Sequence, residues 1–147
     1  MAGLFKRGGD AAGRKQAGQM GRSDRTGRTC RTGELAEDHA LQWLQAQGLA
    51  LVARNYRVAR GPSARGGEVD LILRERDGTL VFVEVRARAD ARHGGAAASV
   101  GLAKQRRIVL AAQHYLMRLP EPPPCRFDVL AIDGGETQWL KAVFDAA

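Results

Sequence analysis

Apolar residues recur at helical spacing in TGELAEDHALQWLQAQG, where Ala36, Ala40, Trp43 and Leu44 form one stripe. Thr32 is placed to cap this helix and Gly48 to end it, so the pattern predicts a helix from Thr32 to about Gln47. LALVARNYRV then reads as a strand and GPSARGG as a loop. GGEVDLILRERDGTLVFVEVRAR reads as a β-hairpin folded around Asp77-Gly78. After the small-residue loop RHGGAAAS, a second helix is predicted from Ser99 to about Leu119, with Val100, Ala103, Arg107 and Leu110 near one face. EPPP breaks it, because proline lacks the helical donor. CRFDVLAI is a further strand, GGE a turn and TQWLKAVF the last strand. The order αβββαββ predicts an α/β fold, a mixed sheet of about five strands flanked by two main helices.

The hairpin carries charge where its apolar pattern predicts burial. Glu68, Asp70 and Glu84 sit among Val, Ile, Leu and Phe, and charged groups are seldom buried without partners. Side chains alternate along a strand, so Glu68 and Asp70 are expected on one face, and Glu84 and Arg86 likewise. A two-residue Asp77-Gly78 loop would set Asp70 opposite Val85. A three-residue loop, Arg76-Asp77-Gly78 with Gly78 left-handed, sets Asp70 opposite Glu84 and Glu68 opposite Arg86; a bulge would make the same correction. Turn statistics favour the first and a shared function for the acids the second; the second is the expected register.

Two carboxylates that close are tolerable with a hard divalent cation between them. Mg²⁺ keeps several waters and commonly takes one or two protein carboxylates. Such an ion supports phosphodiester hydrolysis by activating water and neutralising a phosphate oxygen. Glu34, in the first turn of the first helix, is a candidate to complete the site. Its plain alternative is a favourable interaction with the helix dipole.

Charge is unevenly placed along the 147 residues, a length that suits one domain. Residues 1–32 hold eight basic side chains against Asp10 and Asp24, leaving fifteen basic and fourteen acidic groups of the chain's 23 and 16 for residues 33–147. The basicity therefore belongs to a Gly/Arg-rich tail, 1–32, which is expected to be disordered, ahead of a domain at 33–147. The tail either holds phosphates by counterion release or acts as a solubilising extension. It has no apolar core of a secretory signal, and no run of about 20 apolar residues suggests a membrane span, so a cytoplasmic protein is expected. Cys30 and Cys125 make neither a metal cluster nor a disulfide framework.

Lys104, Arg106 and Arg107 form a basic helix edge able to track a nucleic-acid backbone, or a solvated helix face. His39, His93 and His114 show no metal-ligand spacing. Asp128 is expected to be structural, buried with Arg126 or Arg107, and Trp43 and Trp139 to pack rather than stack on bases.

The order of Glu34 on an early helix, Asp70 in GEVD and Glu84-Val85-Arg86 resembles the PD-(D/E)XK nuclease superfamily. More closely, GELAEDHALQWLQAQG, RNYRV, GGEVDLIL, LVFVEVRAR, KQRRI and CRFDVLAI resemble the bacterial YraN-like family, which is related to archaeal Holliday-junction resolvases. The resemblance spans almost all of residues 33–147. It implies a restriction-endonuclease-like fold and a Mg²⁺- or Mn²⁺-dependent endonuclease, with Glu34, Asp70 and Glu84, joined by Glu68, as metal-site residues. Branched DNA and a homodimer making two symmetric cuts are further steps along the same line. One departure stands out: Arg86 occupies the position where the superfamily has Lys. Arginine can orient water and stabilise charge but does not deprotonate, so Arg86 is expected to act as an electrostatic clamp. Lys104 is a candidate replacement for the ammonium. The alternative is a catalytically silent module that keeps the nuclease fold and binds nucleic acid or recruits a partner.

Overall fold

Two apolar clusters on opposite faces of one sheet organise the chain. The computed structural model describes residues 23–62, 64–88 and 100–146, with side chains from residue 31 onward. Its elements are α1 (Ser23–Ala46), β1 (Ala50–Val58), β2 (Gly67–Arg74), β3 (Leu80–Arg88), α2 (Leu102–Leu116), β4 (Cys125–Asp133) and β5 (Glu136–Phe144). The sheet order is β1-β2-β3-β4-β5, with β3–β4 parallel and the other neighbours antiparallel. A parallel pair needs a crossover, and α2 supplies it. Ala40 and Leu44 of α1 pack with Leu71, Leu73, Val83 and Leu130 of the sheet. Ile108 and Ala111 of α2 pack with Ile72, Phe82, Phe127 and Val129 on the other face. The central strands are covered on both faces, which explains their nearly continuous apolar runs.

Both helices begin away from their expected caps. Helix α1 starts at Ser23, so Thr32 lies inside it, and the expected tail falls outside the described residues only over 1–22. Helix α2 starts at Leu102 behind an extended Gly101 that makes no side-chain cap, whereas the whole RHGGAAAS loop, Ser99 included, lies outside the described residues. The buried face of α2 is Ile108, Ala111 and Ala112, rotated from the expected Ala103 and Leu110. Gly67 accounts for this. A Cβ there would lie 2.6 Å from the Ala111 nitrogen, so the bare backbone of β2 lets α2 approach along residues 107–111.

The β2–β3 hairpin takes the three-residue loop. Its pairs run Arg74↔Leu80, Leu73↔Val81, Ile72↔Phe82 and Leu71↔Val83. Glu75 N–H donates to the Thr79 carbonyl at 2.9 Å, and Gly78 has a φ of 94°. A left-handed residue at the end of the loop is what this connection requires, and glycine adopts it at no steric cost.

Strands β1 and β2 turn over together near one point. Ala53 and Tyr56 both pack against the α2-side cluster, as Val69 and Ile72 belong to it. Residues three apart cannot share a face in a regular strand. The β1–β2 register shifts by one residue between Leu51 and Ala53 and then runs unbroken through Arg54↔Leu71 and Tyr56↔Val69. Asn55, between them, has a φ of 48°. It stands beside Asp70.

Candidate active site

The β2–β3 ladder ends at Leu71↔Val83, and one further step in the same register sets Asp70 beside Glu84. Hydrogen-bonded pairs alternate along an antiparallel ladder, so the Glu75–Thr79 pair makes Val69–Val85 a position for exchange. There Val85 N–H donates to Asp70 Oδ2 at 2.8 Å. A carboxylate thus takes a strand-facing donor at the point where the hairpin opens. The ladder keeps the register expected of the three-residue loop and stops one step short of Asp70 and Glu84.

Both acids are buried, Asp70 with 8% and Glu84 with 4% of its surface exposed. Burial, and then the neighbouring Asp70 charge, push Glu84 up to about 7, while Lys104 pulls the other way. Lys104 Nζ lies 3.1 Å from Glu84 Oε2 and Arg86 Nη1 lies 3.8 Å from Oε1. The lysine contact brings charge to charge without hydrogen-bond alignment: Glu84 Oε2 is buried and accepts no hydrogen bond from the described residues.

These groups open onto a cleft of about 440 Å³ whose lining includes Ala36, Glu37, Asp70, Glu84 and Arg86. Of the two α1 glutamates, Glu37 lines it; Glu34 is exposed and does not. Spacing carried this signal, since Glu37 lies three residues before Ala40 and seven before Leu44, on the stripe that packs against the sheet. Burial raises the Glu37 carboxyl, a hydrogen bond from Asn55 opposes the shift, and Asp70 adds to it. Asn55 was likewise invisible as a site residue, because its role depends on a left-handed backbone inside a strand.

The other expected site residues are placed as follows. Glu68 is engaged away from the Asp70–Glu84 pair, 2.6 Å from Arg107 Nη2 and 3.9 Å from Arg57 Nη2. Arg107 also donates to the Gly66 carbonyl. The basic edge therefore divides: Lys104 meets Glu84, Arg107 meets Glu68, and Arg106 is exposed beside a second cavity of about 400 Å³. Asp128 is structural, with Arg126 as its partner. It accepts from Arg126 Nε at 3.0 Å, Trp139 Nε1 at 2.9 Å and Ala142 N–H at 2.9 Å.

No three acidic, His or Cys side chains among the described residues converge tightly enough to hold a metal ion by themselves. Asp70 and Glu84 nevertheless suit a hard cation. They offer adjacent oxygens, one of them a buried atom with no hydrogen bond, and Mg²⁺ commonly takes only one or two carboxylates and completes its shell with water. The donor set fits Mg²⁺ or Mn²⁺ and not a thiophilic ion.

Fold and site together define an α/β protein with a carboxylate pair at an opened β-hairpin, counter-charged from a neighbouring helix. The model of the family described as "Uncharacterised protein family UPF0102" matches residues 36–132. A UPF0102 protein of Methylibium petroleiphilum is 65% identical over 115 residues, covering 78% of this chain and 94% of its own. One of Paracidovorax citrulli is 59% identical over 133 residues, covering 90% and 96%. The chain belongs to the UPF0102 family, in agreement with its YraN-like motifs.

Proposed function

We propose that this protein is a Mg²⁺- or Mn²⁺-dependent endonuclease that hydrolyses DNA phosphodiester bonds, with branched DNA as its substrate. The observation that supports this most is the buried Asp70–Glu84 pair facing a cleft, with Lys104 brought to 3.1 Å from another element. Asp70 and Glu84 would hold the ion, which supplies positive charge to a phosphate oxygen and lowers the pKa of water. Lys104 supplies the mobile ammonium that Arg86 cannot be, and both cations stabilise charge developing on the phosphate. Water adds to phosphorus and gives up a proton to solvent, one phosphorus–oxygen bond breaks, and the leaving oxygen takes a proton from solvent.

One observation favours a second reading. Lys104 already places a cation 3.1 Å from Glu84, so the acid has a counter-charge without a metal. A silent nucleic-acid-binding or partner-recruiting module would look the same.

Cleavage of linear, flapped and four-way-junction DNA with Mg²⁺ or Mn²⁺, run beside Asp70→Ala, separates the two. The nuclease reading expects cutting that disappears in the variant and in EDTA. Binding of DNA without cutting by either protein would favour the module, and equal cutting by both would trace the activity to a contaminant.

A further inference from the structure

Three acids line the cleft, and two of them are the proposed ion-holding pair. Glu37 is the third. Its side chain is 17% exposed, and Asn55 Nδ2 donates to its Oε2 at 3.0 Å. Arg54 Nη2 lies 3.8 Å from the same oxygen and 2.7 Å from Asp38 Oδ1. Asn55 makes its contact from a φ of 48°, a conformation that costs most side-chain-bearing residues energy and asparagine less than most. The strained residue stands beside Asp70 in the sheet and aims its amide at α1, tying the strand to Glu37, which lines the cleft.

Glu37 does not converge with Asp70 and Glu84 into a three-ligand cluster. The cleft's other charged groups are Arg86 and Arg88, whose guanidinium groups offer no acceptor, and the nearby Lys104 faces Glu84 at 3.1 Å. We infer that Glu37 is the carboxylate that holds the attacking water, and that Asn55 is the positioning residue that fixes it; this rests on the nuclease reading above. As the water oxygen bonds to phosphorus, one water proton passes to Glu37, the bond to the leaving oxygen breaks, and that oxygen takes a proton from solvent. Glu37 then returns its proton to solvent.

The test uses the full chain with Mn²⁺ and the best-cut DNA, and reads kcat, KM and, by calorimetry, Mn²⁺ affinity. Glu37→Gln keeps shape and removes the acceptor charge, so kcat is expected to fall about 100-fold, within the usual range for a lost proton acceptor. KM and Mn²⁺ affinity are expected to stay within about threefold of wild type. Asn55→Gly accepts the same backbone and deletes the tether. Its kcat is expected to fall about tenfold with Mn²⁺ affinity unchanged, and it carries the test should Glu37→Gln fail to fold. Asp70→Asn should lose cleavage and Mn²⁺ binding together. A Glu37→Gln protein that cuts at the wild-type rate overturns the inference and leaves the nuclease reading standing. One that loses Mn²⁺ affinity in step with Asp70→Asn makes Glu37 a ligand and overturns it too. A wild-type chain that neither cuts nor binds Mn²⁺ overturns both.

Discussion

Lys104 Nζ, in the first turns of α2, lies 3.1 Å from Glu84 Oε2, closer than the 3.8 Å that separates Arg86 Nη1 from Oε1. Arg86 is only two residues from Glu84 on the same strand, yet the helix supplies the nearer cation. Lys104→Ala is therefore expected to lower kcat by about 100-fold, in the range of one lost electrostatic donor, and Arg86→Ala by about tenfold. Steady-state cleavage of the two variants checks this ranking. A fully active Lys104→Ala beside a dead Arg86→Ala would return the role to the arginine.

Stability should depend on pH through Glu84. Its folded pKa, pushed up to about 7 by burial first and Asp70 second, stands above the ordinary 4.5. The folded protein thus holds this proton more tightly than the unfolded chain, and stability is lost as pH rises through that interval. Below it both states are protonated and the penalty vanishes. Above it the penalty is complete, about 3 kcal/mol at most. Glu84→Gln in EDTA is expected to be more stable than wild type near pH 8, by about 1–3 kcal/mol, with the difference closing towards pH 4. Urea unfolding at both pH values measures it, and an equal gain at both would place the cause outside Glu84 ionisation. Mn²⁺ should reverse the order near pH 8, since it stabilises only the protein that binds it.

Asp128 offers a control, buried but distant in role from the cleft. Its carboxylate receives Arg126, the Trp139 indole and the Ala142 amide. Asp128→Ala leaves those donors without their acceptor, although Arg126 keeps Glu75 at 2.7 Å. A loss of about 2–4 kcal/mol is expected in urea unfolding, with kcat per folded molecule unchanged. A large fall in kcat at full stability would move Asp128 into the site.

The fold was largely legible because its signals are local and repeated. The apolar runs of β3 and β4, the EPPP break after α2 and the Asp77-Gly78 turn each point to one element. The acids at 70 and 84 were legible because charge interrupts those runs. Glu34 stands out in the sequence because it begins the expected helix, but α1 starts at Ser23, and the packed stripe through Ala40 and Leu44 carries Glu37 into the cleft wall. Glu68 was grouped with Asp70 by strand alternation, which fails where β2 turns over. Arg107 and Arg57 hold Glu68 instead. The left-handed Asn55 has no local signature, and Lys104, a candidate from the sequence, meets Glu84 only through where α2 lands on the sheet.

Gly67 sets where α2 lands. With a Cβ 2.6 Å from the Ala111 nitrogen and 3.0 Å from the Arg107 carbonyl oxygen, Gly67→Ala meets backbone that cannot rotate away. The helix must move outward, and Lys104, one turn earlier on α2, moves with it. A cost of about 1–3 kcal/mol is expected from overpacking, read as a lower urea midpoint. Lengthening the 3.1 Å Lys104–Glu84 contact should also reduce kcat towards that of Lys104→Ala, at a temperature where the variant remains folded. Combining Gly67→Ala with Lys104→Ala should then add little further loss in kcat, because the first change has already withdrawn the ammonium. Full multiplication of the two effects would show that Gly67 acts on cleavage by another route, and an unchanged urea midpoint would show that α2 does not rest on Gly67.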